Sequence, residues 1–313
     1  MLDFTHLVGN TSYDTQIFMG NGVATLTNWQ TWRKPRGSKM LYVIAVGGGS
    51  SGGCALNTST TSGGGAGGMS GAQSCLLIPS FCVPDELYIQ AGAGGKQPST
   101  LVSAAVGVAG QPTYVALEPV TANIPTGVML ISAKGGAATG AAAKATTGGA
   151  VGTAAAAMTI NDANWGTRGI WFSLGSALGT AGGASTAAGA QLTLPTTGQM
   201  VTGGAGGGGQ NGATSTFAGG TIAAIGMGQF VPFTDSGIAP GGNGSGGIFK
   251  PWTYFTGGTG GAGCAITAGT NAGSGGNGAP GCGGGGAGGS NTTNPTLARP
   301  GDGGDGFVII VSF

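Results

Sequence analysis

Two stretches of the chain are apolar at nearly every position. Met40–Val46 reads Met-Leu-Tyr-Val-Ile-Ala-Val, and 307–313 reads Phe-Val-Ile-Ile-Val-Ser-Phe. Short apolar runs rich in β-branched and aromatic residues, bounded by glycine, predict strands buried on both faces. Weaker strand patterns fall at 72–77, 87–91, 114–117 and 127–133. Residues 25–32 are rich in threonine and aromatics, and Lys34-Pro35-Arg36-Gly37 has turn chemistry, with proline presetting the first corner and glycine permitting a positive φ. The pattern predicts a hairpin between 25–32 and Met40–Val46. The final strand is too apolar to stand at an exposed edge, where it would template aggregation. It is therefore predicted to be central and to pair with 40–46, closing 29–313 into a single domain behind an N-terminal arm at 1–28.

Between these strands the hydrophobic pattern gives way to glycine, and composition now changes the picture. Glycine supplies 73 of 313 residues, hydrophobic residues 40% and charged residues only 6%. Disordered chains combine low hydrophobicity with high net charge; this one has a net charge of +1 and long apolar runs, so it reads as folded. Glycine costs about 1 kcal/mol per helical position relative to alanine, and the most alanine-rich stretch, 140–158, is broken by Gly148, Gly149 and Gly152. The expected fold class is all-β with almost no helix: a sandwich or jelly-roll-like sheet whose glycine-rich parts are either long irregular loops or stacked polyglycine-II segments. The second option offsets the entropic cost of so many glycines. Left-handed, three-residue-per-turn chains without side chains approach closely and exchange backbone hydrogen bonds, as collagen does at its axis. Gly-Gly-X runs such as Gly257-Gly258-Thr259-Gly260-Gly261-Ala262 fit that geometry.

Charge narrows the partners. Ten Lys/Arg against nine Asp/Glu provide no basic face for a phosphate backbone, so nucleic acid is not expected. One local cluster, Arg33, Lys34, Arg36 and Lys39, reads as a solvated turn or as a docking patch for an acidic partner. Five cysteines, an odd number, are weak grounds for disulfides. Free thiols are the leading expectation, although one bridge between Cys264 and Cys282 would staple two glycine segments. No basic-then-apolar leader is visible at the N-terminus, and no apolar run is long enough to span a membrane.

Candidate chemistry is sparse. Residues 47–52, Gly-Gly-Gly-Ser-Ser-Gly, match G-x-G-x-x-G after a strand. A dinucleotide site also needs a helix opening at the last glycine and an acidic residue about 20 positions later; here the next acidic residue is Asp85. Gly303-Gly304-Asp305-Gly306 is a single copy of a pattern that binds calcium only when repeated, and it reads as a turn into the last strand. His6 is the only histidine, Asp85-Glu86 look like a solvated turn, and the spacing of Glu118, Asp162 and Asp235 supports no paired-carboxylate site. No catalytic, cofactor or metal residues are therefore assigned, and an enzyme is not expected. Two aromatic clusters remain, 165–172 and 249–255. Packing over the sheet is one reading. The other is that Trp165, Trp171, Trp252, Tyr254 and Phe255 are exposed anchors for a sugar ring or a protein partner.

The run Thr31-Trp32-Arg33-Lys34-Pro35-Arg36-Gly37-Ser38-Lys39-Met40, followed by Val43-Ile44-Ala45-Val46-Gly47-Gly48-Gly49, resembles glycine-rich virion proteins of tailed bacteriophages. The ending Gly303-Gly304-Asp305-Gly306-Phe307-Val308-Ile309-Ile310-Val311 is similar to the terminal strand of that family. The long Ala/Thr-rich middle departs from the densest Gly-Gly-X pattern. The resemblance implies a virion structural protein (a fibre, tail or capsid-decoration subunit) assembled in the host cytoplasm. Its partners would be other virion proteins, further copies of itself (a trimer by analogy) and a host surface glycan. A different class, a secreted polyglycine-II ice-binding or matrix protein, is the alternative.

Overall fold

The computed structural model describes residues 13–22, 28–55, 60–97, 105–121, 127–139, 143, 146–156, 169–194, 198–212, 215–223, 236–250, 254–264, 271–290 and 298–313. It is nearly all β. The main strands are β1 (Asp14–Met19), β2 (Gln30–Arg33), β3 (Met40–Val46), β4 (Thr61–Ser62), β5 (Gln73–Pro79), β6 (Glu86–Gln90), β7 (Thr113–Ala116), β8 (Met129–Ala133) and β9 (Ile170–Leu174). Short strands follow: β10 (Leu192–Thr193), β11 (Gln210–Asn211), β12 (Ser215–Thr216), β13 (Ile222–Ala223), β14 (Phe249–Lys250) and β15 (Tyr254–Phe255). The last strand is β16 (Phe307–Ser312).

Two antiparallel sheets face each other without closing into a barrel. One has the order β1-β16-β3-β5-β9 and the other β2-β6-β7-β8. Strand alternation explains the core. Leu41, Val43 and Ala45 of β3, Leu76 and Ile78 of β5, and Val308 and Ile310 of β16 point inward. They meet Trp32, Leu87, Ile89, Val115 and Ile131 of the second sheet. The opposite residues Ile44, Val46, Phe307, Ile309 and Val311 form a second apolar cluster with Val201, Phe255 and Cys282. β16 is thus buried on both faces, and it lies between β1 and β3, with Ile309 opposite Ile44. Residues Asp14–Met19, in the segment read as an arm, form the edge strand beside it.

The expected hairpin is absent. β2 pairs with β6, whereas β3 pairs with β16 and β5 in the other sheet. The turn at 34–39 is a corner between layers. The physical reason is Trp32, which is fully buried: its ring and the inward residues of β3 cover one another face to face, which adjacent strands of a single sheet cannot do.

Past the strand ends the glycine segments form a lattice of bonded chains. The amides of 47, 50 and 53 donate to the carbonyls of Ala72, Met69 and Ala66; those of 48, 51 and 54 donate to Gln111, Val108 and Ala105. Those of 49 and 52 donate to Gly304 and Gly301, all at 2.7–3.0 Å. Three directions repeating every third residue are the signature of a three-residue-per-turn extended helix. The carbonyls of Gly48, Gly49 and Ser50 accept from Gly136, Gly95 and Gly284, so six chains surround this one. Segment 283–289 repeats the scheme: 283, 286 and 289 donate to Thr202, Ala205 and Gly208, 284 and 287 to Ser50 and Gly53, and 285 and 288 to Gly276 and Gly273.

The lattice grows out of the sandwich. Val46 pairs with Gln73, and the next amide, Gly47, bonds Ala72, so the β3–β5 ladder continues. Gly48 bonds Gln111, just before β7 of the other sheet. Within the sandwich the layers touch only through side chains; one residue later their backbones bond directly.

Candidate functional site

The sandwich and the lattice give the molecule two chemically different ends. At the sandwich end, the corner 34–39 packs on the loop that leads from β5 to β6. The Lys34 amide donates to the Asp85 carbonyl, and the Ser80 amide donates to the Lys39 carbonyl, both at 2.8 Å. The basic cluster divides here. Arg33 pairs with Glu86 at 3.1 Å, and Lys34 pairs with Asp85 at 3.2 Å while also donating to the Val83 carbonyl. The carboxylates expected to be merely solvated are the counter-ions. Arg36 and Lys39 are exposed and make no ion pair among the described residues. Beside them, the 3-10 turn Ser80–Cys82 presents Phe81, at 84% exposure the most open large apolar side chain described. Sequence reasoning passed over Phe81. Its setting, between Pro79 and Pro84 in Pro-Ser-Phe-Cys-Val-Pro, was the available signal, because prolines fix φ and remove backbone donors, which marks a turn at the surface.

At the far end of the lattice the ascending and descending segments meet. Cys54 bonds Ala105, Cys264 bonds Gly289, and Gln97 reaches the carbonyls of Gly52 and Val106. A small sheet, β12-β11-β4, caps the same end with Gln210, Asn211, Thr61, Ser62, Ser215 and Thr216. Its six side chains are all neutral and polar.

The aromatics separate. Phe255 is 3% exposed and packs on Phe307 with ring centroids 5.0 Å apart, so it belongs to the apolar cluster on the outer face of the five-stranded sheet. Trp171, in edge strand β9, is half-buried against the core between the sheets. Its neighbours Ile170 and Phe172 are exposed. Trp165, Trp252 and the side chain of Tyr254 lie outside the described residues.

The lattice accounts for the motifs that mimic chemistry. Every amide from 47 to 52 already donates to a backbone carbonyl, so none is open to a phosphate. The 303–306 segment is a lattice strand rather than a turn. Gly303, Gly304 and Gly306 donate to Gly95, Cys282 and Gly92, and the Asp305 carboxylate accepts from the Gly94 amide at 2.7 Å. All five cysteines are free. Cys264 and Cys282 sit in separate apolar clusters, so no bridge joins them. Burial raises the Cys54 thiol to about 11 and the Cys282 thiol to about 12. It also raises Cys75 above its ordinary value. Such thiols stay protonated, the opposite of an activated nucleophile.

A glycine-rich domain family matches residues 24–270. The chain belongs to this family. The match begins just before β2 and ends past the segment 256–264, so it takes in most of the sandwich and much of the lattice. No curated protein matches the chain.

Proposed function

We propose that this chain is a structural subunit of a bacteriophage virion, a fibre, tail or capsid-decoration component, and not an enzyme. The observation that carries the reading is the three-direction bonding of 47–54 and 283–289. Each amide in 47–54 is bonded; at about 0.5–1.5 kcal/mol per net hydrogen bond the eight bonds of that segment contribute roughly 4–12 kcal/mol. Such a body is bonded in three directions and carries few charges, which suits a spacer between an attachment end and a contact end. In the small sheet at the far end Gln210 and Ser62 are buried, but Thr61, Asn211, Ser215 and Thr216 reach solvent and are suited to hydrogen-bonding a host surface glycan. The resemblance of 31–49 and 303–311 to phage virion proteins supplies the biological setting.

Antibody raised against the chain and applied to purified particles from the same source tests this: label at discrete positions on assembled virions supports it, and bare particles contradict it. A polyglycine-II ice-binding or matrix protein draws on the same lattice. Thermal hysteresis in the purified chain would favour that alternative; its absence favours the virion subunit.

A further inference from the structure

We infer that the sandwich end is a plug that docks into an acidic protein surface, with Phe81 seated in an apolar pocket and Arg36 and Lys39 on carboxylates around its rim. The inference rests on the chain being a subunit of a larger assembly, and it assigns the attachment end and the chemistry of the partner.

Phe81 is not exposed through looseness of its loop. Its neighbours in the turn are fixed on both sides. Ser80 is buried, donates its amide to Lys39, and places its hydroxyl on the Ser38 carbonyl. Val83 is buried in the core and donates to the Ser80 carbonyl, and Cys82 packs against the same core. An aromatic presented from a fixed backbone has only two side-chain torsions to lose on binding, which suits an interface anchor. At 84% exposure the ring gains almost nothing from burial within the fold.

Charge selects the partner. Four of the ten Lys/Arg in the chain fall within 33–39. Glu86 and Asp85 neutralise Arg33 and Lys34, which are anchored on the β2–β6 side of the turn. Arg36 and Lys39 stay unpaired among the described residues, and Lys39 is bonded through its carbonyl to the residue preceding Phe81. Partner carboxylates next to an apolar pocket complement that arrangement and speed encounter at low salt. The placement is also mechanical. This end lies opposite the polar cap, so docking here leaves the cap free.

The test places a photoreactive benzoylphenylalanine at position 81 of the full chain, in particles assembled in the native host, with the same probe at Ile238 as control. Ile238 is 79% exposed and sits beside the lattice, away from the plug. The expected result is one adduct from position 81, on a single different particle protein, at a peptide with Asp or Glu beside apolar residues. Arg36→Glu with Lys39→Glu lowers its yield about tenfold or more without changing the melting temperature, and rising salt lowers it likewise. Phe81→Ala lowers the copies per particle by a similar factor.

Four results overturn the inference: no adduct above the Ile238 control, adducts spread over many proteins, an adduct on a second copy of this chain, or a yield indifferent to charge and salt. Particles that carry the chain but give any of these leave the virion-subunit reading standing. Particles that lack the chain remove both.

Discussion

The sandwich and the lattice solve the same problem in opposite ways. In the sandwich, backbones bond within each sheet, and the gap between sheets is filled by side chains such as Trp32, Leu76 and Ile310. In the lattice, backbones bond in three directions and leave almost no room for side chains. A Cβ built on Gly49 would stand 1.9 Å from the carbonyl oxygen of Cys282. The sandwich therefore tolerates changes of side-chain size within limits, while the lattice tolerates almost none.

The largest expected effect tests that difference. Gly49→Val is expected to abolish the soluble folded protein, because the obstacle is the backbone of a chain bonded on several sides. Expression, solubility and far-ultraviolet circular dichroism read this. Gly37→Ala is the control: its φ of +82° costs about 1 kcal/mol, but nothing lies within 4 Å. In the sandwich, Leu76→Ala is expected to cost about 2–5 kcal/mol in urea unfolding, the ordinary cost of a cavity in a core.

Alkali should act on both regions. The thiols of Cys54 and Cys282 are held at about 11 and about 12 when folded, above their ordinary value of 9.0. A raised folded value means the unfolded state releases its protons first. The stabilisation from these groups is full below pH 9, falls as pH rises above it, and is lost through 11–12. Urea midpoints measured from pH 7 to 11 should be flat at first and then drop. Replacing both cysteines with alanine should flatten the drop.

Smaller effects sharpen the boundary. Ser50→Ala removes the hydroxyl that accepts from the Met69 amide at 2.7 Å, leaving a buried donor without its acceptor, and should cost about 1–3 kcal/mol. Arg33→Ala breaks an exposed ion pair and should change stability by less than about 1 kcal/mol.

The strands were largely legible because alternation and β-branching act locally. β3 and β16 stand where their apolar runs predict, and 72–77, 114–117 and 127–133 fall on β5, β7 and β8. The partner of β2 was not legible. A turn signal at 34–37 fixes where the chain bends but not whether the next strand lies beside the last or across from it; burial of Trp32 decides that. The lattice was half legible: glycine density pointed to close approach, but the Gly-Gly-X spacing does not reveal which segments neighbour which. The basic cluster was visible as a charge run, yet only the structure divides it into two cations paired with Glu86 and Asp85 and two that make no ion pair among the described residues. Phe81 was missed because a lone phenylalanine in sequence looks like core.

Native-state hydrogen exchange at the amides of 47–54 tests the central claim most directly. If the glycine segments are a bonded lattice, all eight amides exchange slowly, with protection close to that of β3 and β16. Exchange at rates typical of exposed loops, or protection only at every other residue as in an edge strand, would contradict it.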